Sequence, residues 1–142
     1  MKDRRAGFLI SQIHRLSSRK FETLLKEEGI SAFNGAQGRI LYVLWNYDDI
    51  PIFELASKTG LAKTTLTSML DRMEKNSLLS RNYESQDRRQ IKIKLTEKAR
   101  KLQENYESIS NRMNEIYYKG MTDKQIDEFE KYLDIILNNL ND

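Results

Sequence analysis

The sequence of 142 residues predicts a mainly α-helical protein with one small β-hairpin. Three observations support this fold class. Apolar residues recur at spacings of three and four along most of the chain, which is the helical period. Strict alternation of polar and apolar residues is confined to residues 90–95. Pro51 is the only proline, so the helical patterns on either side of it are uninterrupted.

Two helices are predicted before the proline. The first covers residues 5–28, ends at Gly29, and has an apolar face formed by Leu9, Ile13, Leu16 and Leu24. Asn34 and Gln37 form a capping pair for the second helix, which continues through Trp45. Residues 48–51 are predicted to interrupt the helical pattern between the second helix and the next one.

A helical hairpin is predicted over residues 53–73. Gly60 lies between its two helices, where a sharp reversal needs a backbone that is free to adopt positive φ. The apolar positions are Leu55, Ala56, Leu61, Leu66, Met69, Leu70 and Met73. This pattern buries one face of the second helix and leaves polar and cationic side chains on the other. A helix of that width fits a DNA major groove.

A β-hairpin follows that helical hairpin. Residues 78–83 and 90–95 are its predicted strands, and the polar residues 84–89 form the turn, which contains Arg88 and Arg89. Asp87 is expected to hold Arg89 in place by a charge-assisted pair. Thr96 is the predicted N-cap of the next helix.

The C-terminal region contains two further apolar stripes at helical spacing. One runs from Leu102 to Ile116, and the other begins after a predicted N-cap at Thr122. Such stripes need a covering surface, and we expect the first helix and a second copy of the chain to supply it. The predicted dimerisation residues are Leu9, Ile13, Ile126, Phe129, Leu133, Ile136 and Leu140. Residues 1–33 and 100–142 would form this helical dimerisation region, and residues 34–99 a winged helix-turn-helix domain.

Composition excludes several kinds of site. The chain has no cysteine, which removes disulfides, thiol chemistry and cysteine zinc sites, and His14 is the only histidine. No catalytic constellation, phosphate-binding glycine loop, metal site or cofactor site is predicted. No signal peptide or membrane span is apparent, so a cytoplasmic protein without a membrane partner is expected.

The charge distribution favours a polyanion partner. Net charge is +3 overall, but residues 58–101 carry 12 basic and 5 acidic side chains, whereas residues 102–142 carry 4 and 9. A basic segment of this kind, containing a polar helix and a hairpin, predicts binding to double-stranded DNA. The predicted DNA-binding residues are Lys63, Thr64, Thr65, Thr67, Ser68, Arg72, Arg81, Asp87, Arg88 and Arg89.

Aromatic residues allow two interpretations. His14, Tyr42 and Trp45 could line a small-molecule pocket between the helical scaffold and the DNA-binding domain, although packing is the favoured interpretation for Trp45. Tyr106, together with the other C-terminal tyrosines, is expected to pack in the dimerisation region.

Taken in order, these segments resemble the MarR family of winged helix-turn-helix regulators. The resemblance rests on Gly38-Arg39-Ile40-Leu41, Glu54-Leu55-Ala56, Gly60-Leu61, Asp71-Arg72-Met73-Glu74, and the wing from Asp87-Arg88-Arg89 to Leu95-Thr96. It implies an obligate homodimer that binds pseudo-palindromic operators, with recognition helices in major grooves and wings in minor grooves. It also implies a repressor that is released by a small phenolic or anionic ligand.

The sequence departs from the family pattern at two helix ends. Ala62 replaces a frequent serine cap, which costs about 1 kcal/mol. Ser77 replaces a usual glycine, and we expect Asn76 to provide the left-handed turn instead. Two alternatives to a sequence-specific regulator stay open: a non-specific architectural DNA-binding protein and a winged-helix protein-interaction module.

Overall fold

The computed structural model describes residues 2–83 and 91–141. The chain divides into two compact units, residues 1–109 and residues 110–142. The helices are α1 (Ala6–Glu27), α2 (Gly35–Asn46), α3 (Ile52–Thr59), α4 (Lys63–Lys75), α5 (Glu97–Arg100), α6 (Gln103–Tyr117) and α7 (Asp123–Leu140). The strands are β1 (Ile50–Pro51), β2 (Leu79–Asn82) and β3 (Lys92–Leu95). The mainly helical fold class with a small β wing is therefore confirmed.

The junction between α1 and α2 follows from local hydrogen bonding. Asn34 accepts a hydrogen bond from the Gln37 backbone N–H at 2.8 Å, and the Gln37 side chain accepts one from the Asn34 N–H at 3.1 Å. This is the predicted capping pair, and it satisfies two backbone donors that the helix leaves free. Glu22 of α1 also accepts from the Gly35 N–H at 2.6 Å, which fixes the start of α2 against α1.

The first unit is built around the helical hairpin. Gly60 adopts φ +70° and ends α3, as the predicted reversal requires. The apolar faces of the two helices meet those of α2 in a core of fully buried side chains: Ile40, Leu41, Leu44, Leu55, Leu66, Leu70 and Met73. Each such side chain contributes about 1.5–3 kcal/mol relative to exposure. That burial fixes which side of α4 faces outward.

The sheet has three strands in the order β1-β3-β2, all antiparallel. The prediction of a two-stranded hairpin preceded by a break was wrong in this respect, because Ile50 pairs with Ile93 and Pro51 with Lys92. Pro51 lacks an N–H, and it is tolerated because β1 is a short edge strand. On the other side of β3, Leu79 pairs with Leu95, and both are buried.

The C-terminal end of α4 differs from expectation. Ser77, and not Asn76, adopts the left-handed conformation, with φ +61° against −86° for Asn76. The Leu78 N–H donates to the Met73 carbonyl at 2.9 Å and the Ser77 N–H to the Glu74 carbonyl at 3.0 Å. These bonds form a C-terminal capping motif in which the left-handed position is the second residue after the helix. The register of the cap therefore places the strain on Ser77.

The second unit contains the end of α6 and all of α7. Thr122 and Gln125 form a capping box that starts α7, which confirms the predicted N-cap. Tyr118 donates a hydrogen bond to Glu130 at 2.8 Å, and this bond raises the pKa of Tyr118. No residue of α7 is buried. Among the described residues, no helix is both long and apolar enough to cross a membrane.

Candidate nucleic-acid interface

The outer side of α4 is the candidate reading surface. Its apolar side is sealed in the core by Leu66, Leu70 and Met73, so the remaining positions face outward. The structure leaves all six predicted contact residues of this helix exposed: Lys63, Thr64, Thr65, Thr67, Ser68 and Arg72. The helix therefore presents a contiguous polar surface with cations toward both of its ends.

A hydrogen bond within α4 restricts the further hydrogen bonds that the Thr67 hydroxyl can form. Its hydroxyl donates to the Lys63 carbonyl at 2.9 Å, so the oxygen lone pairs face outward while the proton is occupied. In this arrangement the Thr67 hydroxyl can accept further hydrogen bonds but has no proton left to donate. Ala62 supplies no side-chain cap, as expected, and the helix begins without that hydrogen bond.

Arg81 on β2 lies against α4. Its guanidinium forms an ion pair and hydrogen bond with Asp71, and its backbone N–H donates to Glu74 at 3.0 Å. The Nε atom lies 3.9 Å from Glu74 Oε1, which is ion-pair distance without a hydrogen bond. Burial by itself lowers the pKa of Arg81, but the hydrogen bond and charge of Asp71, a hydrogen bond with Tyr83 and the charge of Glu74 together outweigh it and raise that pKa. The guanidinium is held inward by carboxylates of α4.

The wing is described up to its tip. On β3, Lys92 and Lys94 are exposed and alternate with the buried Ile93 and Leu95, as the period-two pattern predicted. Asp87, Arg88 and Arg89 lie outside the described residues, so their assignment to DNA contact stays a prediction.

Asp48 connects the base of the wing to the helix that follows it. One carboxylate oxygen accepts from the Leu95 N–H at 3.0 Å and from the Asp49 N–H at 2.8 Å. The other accepts from the Arg100 guanidinium at 2.8 Å. One side chain thus joins the turn at residues 48–49 to the end of β3 and to α5, both about 50 residues further along the chain, and this fixes the end of β3.

The aromatic residues form a cluster around Tyr106. Its ring lies 5.3 Å from that of Trp45 and 5.8 Å from that of Tyr42, centroid to centroid, and it also contacts Phe21 and Phe33. Tyr106 therefore packs within a single chain, against Phe21 and Phe33 of the predicted dimerisation region and against Tyr42 and Trp45 of α2. A Cβ at position 38 would lie 3.1 Å from this ring, so glycine there permits the close approach.

The candidate ligand pocket is only partly assembled by these contacts. Trp45 donates its indole N–H to the Ala99 carbonyl at 3.1 Å, which confirms a packing role. His14 is exposed on α1, where its backbone carbonyl accepts from Ser18 at 2.9 Å. A ligand site formed by His14, Tyr42 and Trp45 stays a prediction.

A shallow, open cavity of about 590 Å³ lies elsewhere in the first unit. The residues that line it all have polar side chains of mixed charge: Arg100, Lys101, Gln103, Glu104 and Glu107. Such a lining favours water over an aromatic ligand. Within residues 2–83 and 91–141, no group of three potential metal ligands comes together.

The predicted dimerisation residues are almost all exposed in the single chain. Ile126 is half-buried, whereas Leu9, Ile13, Phe129, Leu133, Ile136 and Leu140 are exposed, Leu140 by 77%. Exposed apolar side chains concentrated on one helix are typical of an interaction surface.

Sequence reasoning missed three carboxylates, namely Asp71, Glu74 and Asp48. Asp71 and Glu74 are three residues apart on α4, and an arginine follows at the start of the strand that returns beside that helix. This arrangement is compatible with an ion pair between the two elements. The pair can be identified only once the structure shows that β2 runs back beside α4. Asp48 carries no such local signal.

Comparison with known proteins identifies relatives. The sequence model of the MarR family matches residues 33–91. An uncharacterised HTH-type transcriptional regulator of Bacillus subtilis, YsmB, is 31% identical over 124 residues, covering 82% of this chain and 84% of the relative. A second one from B. subtilis, YfiV, is 33% identical over 66 residues, which are 46% of this chain and only 41% of the relative.

Solved structures show the same fold. A MarR transcriptional regulator from Methanosarcina mazei Go1 has a TM-score of 0.83 at 24% identity, with 94% of each chain covered. A mutant MarR from E. coli, complexed with operator DNA, has a TM-score of 0.79 at 22% identity, with 92% of each chain covered. At these identities the likeness concerns the fold alone.

Proposed function

Because the chain belongs to the MarR family of transcriptional regulators, we propose that it is a homodimeric repressor that binds a pseudo-palindromic operator and releases it when a small ligand binds. In this proposal, α4 enters the major groove and the wing enters the flanking minor groove. The proposal goes beyond family membership in four respects: the dimer, the operator, the sign of regulation and the ligand.

The observation that supports DNA reading most directly is the division of α4 into two sides. Leu66, Leu70 and Met73 are buried, and all six polar and cationic residues proposed to contact DNA are exposed. Threonine and serine hydroxyls can contact base edges or phosphates, whereas lysine and arginine neutralise phosphates. Lys63 and Thr64 are proposed as base contacts because they begin the helix, and recognition helices read bases from that end.

The exposed apolar surfaces of α1 and α7 support a homodimer. Leu9 and Ile13 on α1, and Leu133, Ile136 and Leu140 on α7, are too apolar to remain in contact with water at little cost. A second copy of the chain offers the same surfaces and generates a twofold axis. That axis sets two half-sites about 10 base pairs apart, which matches a pseudo-palindrome.

The positive charge of residues 58–101 supports a DNA affinity that depends strongly on salt concentration. Residues 58–101 have seven more basic than acidic side chains, and neutralising phosphates with them releases counterions from DNA. Binding should therefore weaken steeply as salt rises. This is the electrostatic part of the affinity, and it carries no sequence information.

Ligand control is proposed as a shift between two arrangements of the DNA-reading helices. A small anionic or phenolic effector would favour the arrangement whose helix separation does not match the operator. The candidate site is formed by His14, Tyr42 and Trp45. Such a regulator would work in the cytoplasm, beside the chromosome.

The test is a fluorescence anisotropy titration at two salt concentrations. One labelled duplex carries the DNA upstream of the protein's own coding region, and a scrambled duplex of equal composition is the control. Tight, salt-sensitive binding to the first, well above the control, supports the proposal. Equal binding to both duplexes would favour a non-specific architectural protein. Absence of binding to either would contradict DNA reading and favour an interaction module.

A further inference from the structure

An acidic residue lies within the reading surface of α4. Asp71 follows Thr67 by four residues and Ser68 by three, so all three lie on the same side of the helix. Its side chain is 55% exposed. A carboxylate in this position would repel DNA phosphates, and among the base edges of the major groove only the amino groups of cytosine and adenine can donate a hydrogen bond to it. The surface therefore needs a neutralising partner.

Arg81 is that partner. Its guanidinium bonds to Asp71, its backbone N–H bonds to Glu74 at 3.0 Å, and its side chain is only 15% exposed. The guanidinium cannot reach a phosphate while it keeps these contacts. Because the pair is partly withdrawn from solvent, dissolved ions screen it less than an exposed pair.

The charge balance of α4 shows why this contact matters. The helix carries three cations, Lys63, Arg72 and Lys75, against two carboxylates, Asp71 and Glu74. Without Arg81, the carboxylates would offset most of the positive field that the helix offers to DNA. The same contact also ties the first strand of the wing to the helix.

We propose that Arg81 is a positioning residue that neutralises Asp71 and Glu74 and tethers β2 to α4, and that it does not itself contact DNA. This inference rests on the proposed DNA-binding function. It assigns the wing's first strand a role in preparing the reading surface, separate from the role of the wing tip.

The test compares Arg81→Gln, Asp71→Asn and the double variant in anisotropy titrations with the upstream duplex over a range of salt. Arg81→Gln should weaken binding roughly tenfold, since it exposes an unpaired carboxylate to the phosphates. The double variant should recover to within about threefold of the parent, because the offending charge is gone. The plot of log affinity against log salt should become shallower in Arg81→Gln, because salt screens the repulsion between the freed carboxylate and the phosphates, and it should return to the parent slope in the double variant.

Arg72→Gln is the matched control, because it removes a neighbouring exposed cation of α4 that is proposed to contact DNA. Loss of one phosphate contact lowers that slope by about 0.9. A shallower slope that persists in the double variant would overturn the proposal, because it would indicate that Arg81 itself contacts a phosphate. Failure of Asp71→Asn to restore affinity in the double variant, or unchanged affinity in Arg81→Gln, would also overturn it. Arg81→Met, which keeps the buried stem, replaces Arg81→Gln if that variant does not fold.

A second measurement separates this inference from DNA binding. Melting temperatures of the parent, the two single variants and the double variant form a thermodynamic cycle. The double variant should lose less than the sum of the two single losses, since the second change breaks a contact already broken. If the two single losses of melting temperature simply add in the double variant, the proposed tether between β2 and α4 is wrong. Absence of DNA binding by the parent would contradict the proposed function and also the masking role, whereas the cycle would still judge the tether.

Discussion

Helices α4 and α7 have the same kind of apolar stripe, but the stripe is buried on α4 and exposed on α7. The stripe of α4, formed by Leu66, Leu70 and Met73, is fully buried within its own unit. No residue of α7 is buried, and Ile136 and Leu140 remain exposed. Helical periodicity therefore predicts that a face will be covered without saying by what. On α4 only the polar side is exposed, whereas on α7 the apolar side is exposed as well.

The largest expected effect is on the buried stripe. Leu70→Ala should lower the free energy of unfolding by about 2–5 kcal/mol, because it leaves a cavity in a closed core. Urea denaturation measures this loss, which should be similar at every protein concentration at which the dimer persists. Ser68→Ala, on the exposed side of the same helix, is the control and should change stability by less than about 0.5 kcal/mol. Equal effects of the two variants would contradict the assignment of the two sides.

The second prediction concerns the exposed apolar stripe of α7. Ile136→Glu should weaken dimerisation at least about 30-fold, since it would bury an unpaired charge at the interface. Light scattering after size-exclusion chromatography, over a range of concentrations, measures the change. Asn139→Glu introduces the same charge at a polar position of α7 and should leave the dimer intact. A dimer of parental strength in Ile136→Glu would place the interface elsewhere.

The third prediction separates the wing tip from dimerisation. Arg89→Ala should weaken operator binding about tenfold while the dimer is unchanged, because an arginine in a narrow minor groove meets an enhanced negative potential. Anisotropy and light scattering measure the two properties in parallel. Lys119→Ala removes the same charge outside the DNA-binding domain and serves as control. Unchanged affinity in Arg89→Ala would remove the wing tip from the interface.

A smaller effect is expected at the hydroxyls of α4. Thr67→Ala and Ser68→Ala should each alter the ranking of operator variants, with losses of about three- to fivefold on the preferred sequence. Competition with duplexes that carry single base changes measures the ranking. A uniform loss over all sequences would reassign these residues to phosphate contacts.

The smallest expected effect tests the end of α4. Ser77→Gly should raise the free energy of unfolding by about 0.5 kcal/mol, because the relief of left-handed strain exceeds the added entropy of the unfolded chain. Asn76→Gly is the matched control and should be destabilising, since Asn76 has ordinary negative φ. Thermal unfolding distinguishes the two, and the reverse order would contradict the observed cap.

Local features of the fold were predictable because neighbouring residues decide them. The capping pairs at Asn34 and Thr122 and the reversal at Gly60 all appear where the sequence indicates. Strand β1 was not predictable, since two residues show no period and Ile50 pairs with Ile93, far along the chain. The position of the left-handed residue at the end of α4 was missed because two cap registers fit the same sequence.

The candidate site was predictable in part for a similar reason. Periodicity alone identifies Thr67 and Ser68 as exposed, because Leu66 and Leu70 are one turn apart on the buried side and the two residues that follow Leu66 project away from that side. The pairing of Arg81 with Asp71 required knowledge of how β2 returns beside α4. Arg81 was predicted as a DNA contact from its charge, and its contacts give the basis for a different role.

The amphipathic helices, their caps and the polar surface of α4 follow from the amino-acid sequence, because each depends on residues within a few positions of one another. Which charges are satisfied within the chain, and which remain available, follows instead from how the elements pack. Asp48 joins β3 to α5, Tyr106 packs against α2, and Arg81 turns toward α4. These contacts join residues far apart in sequence, and their energies depend on distance and burial, which a sequence pattern does not contain.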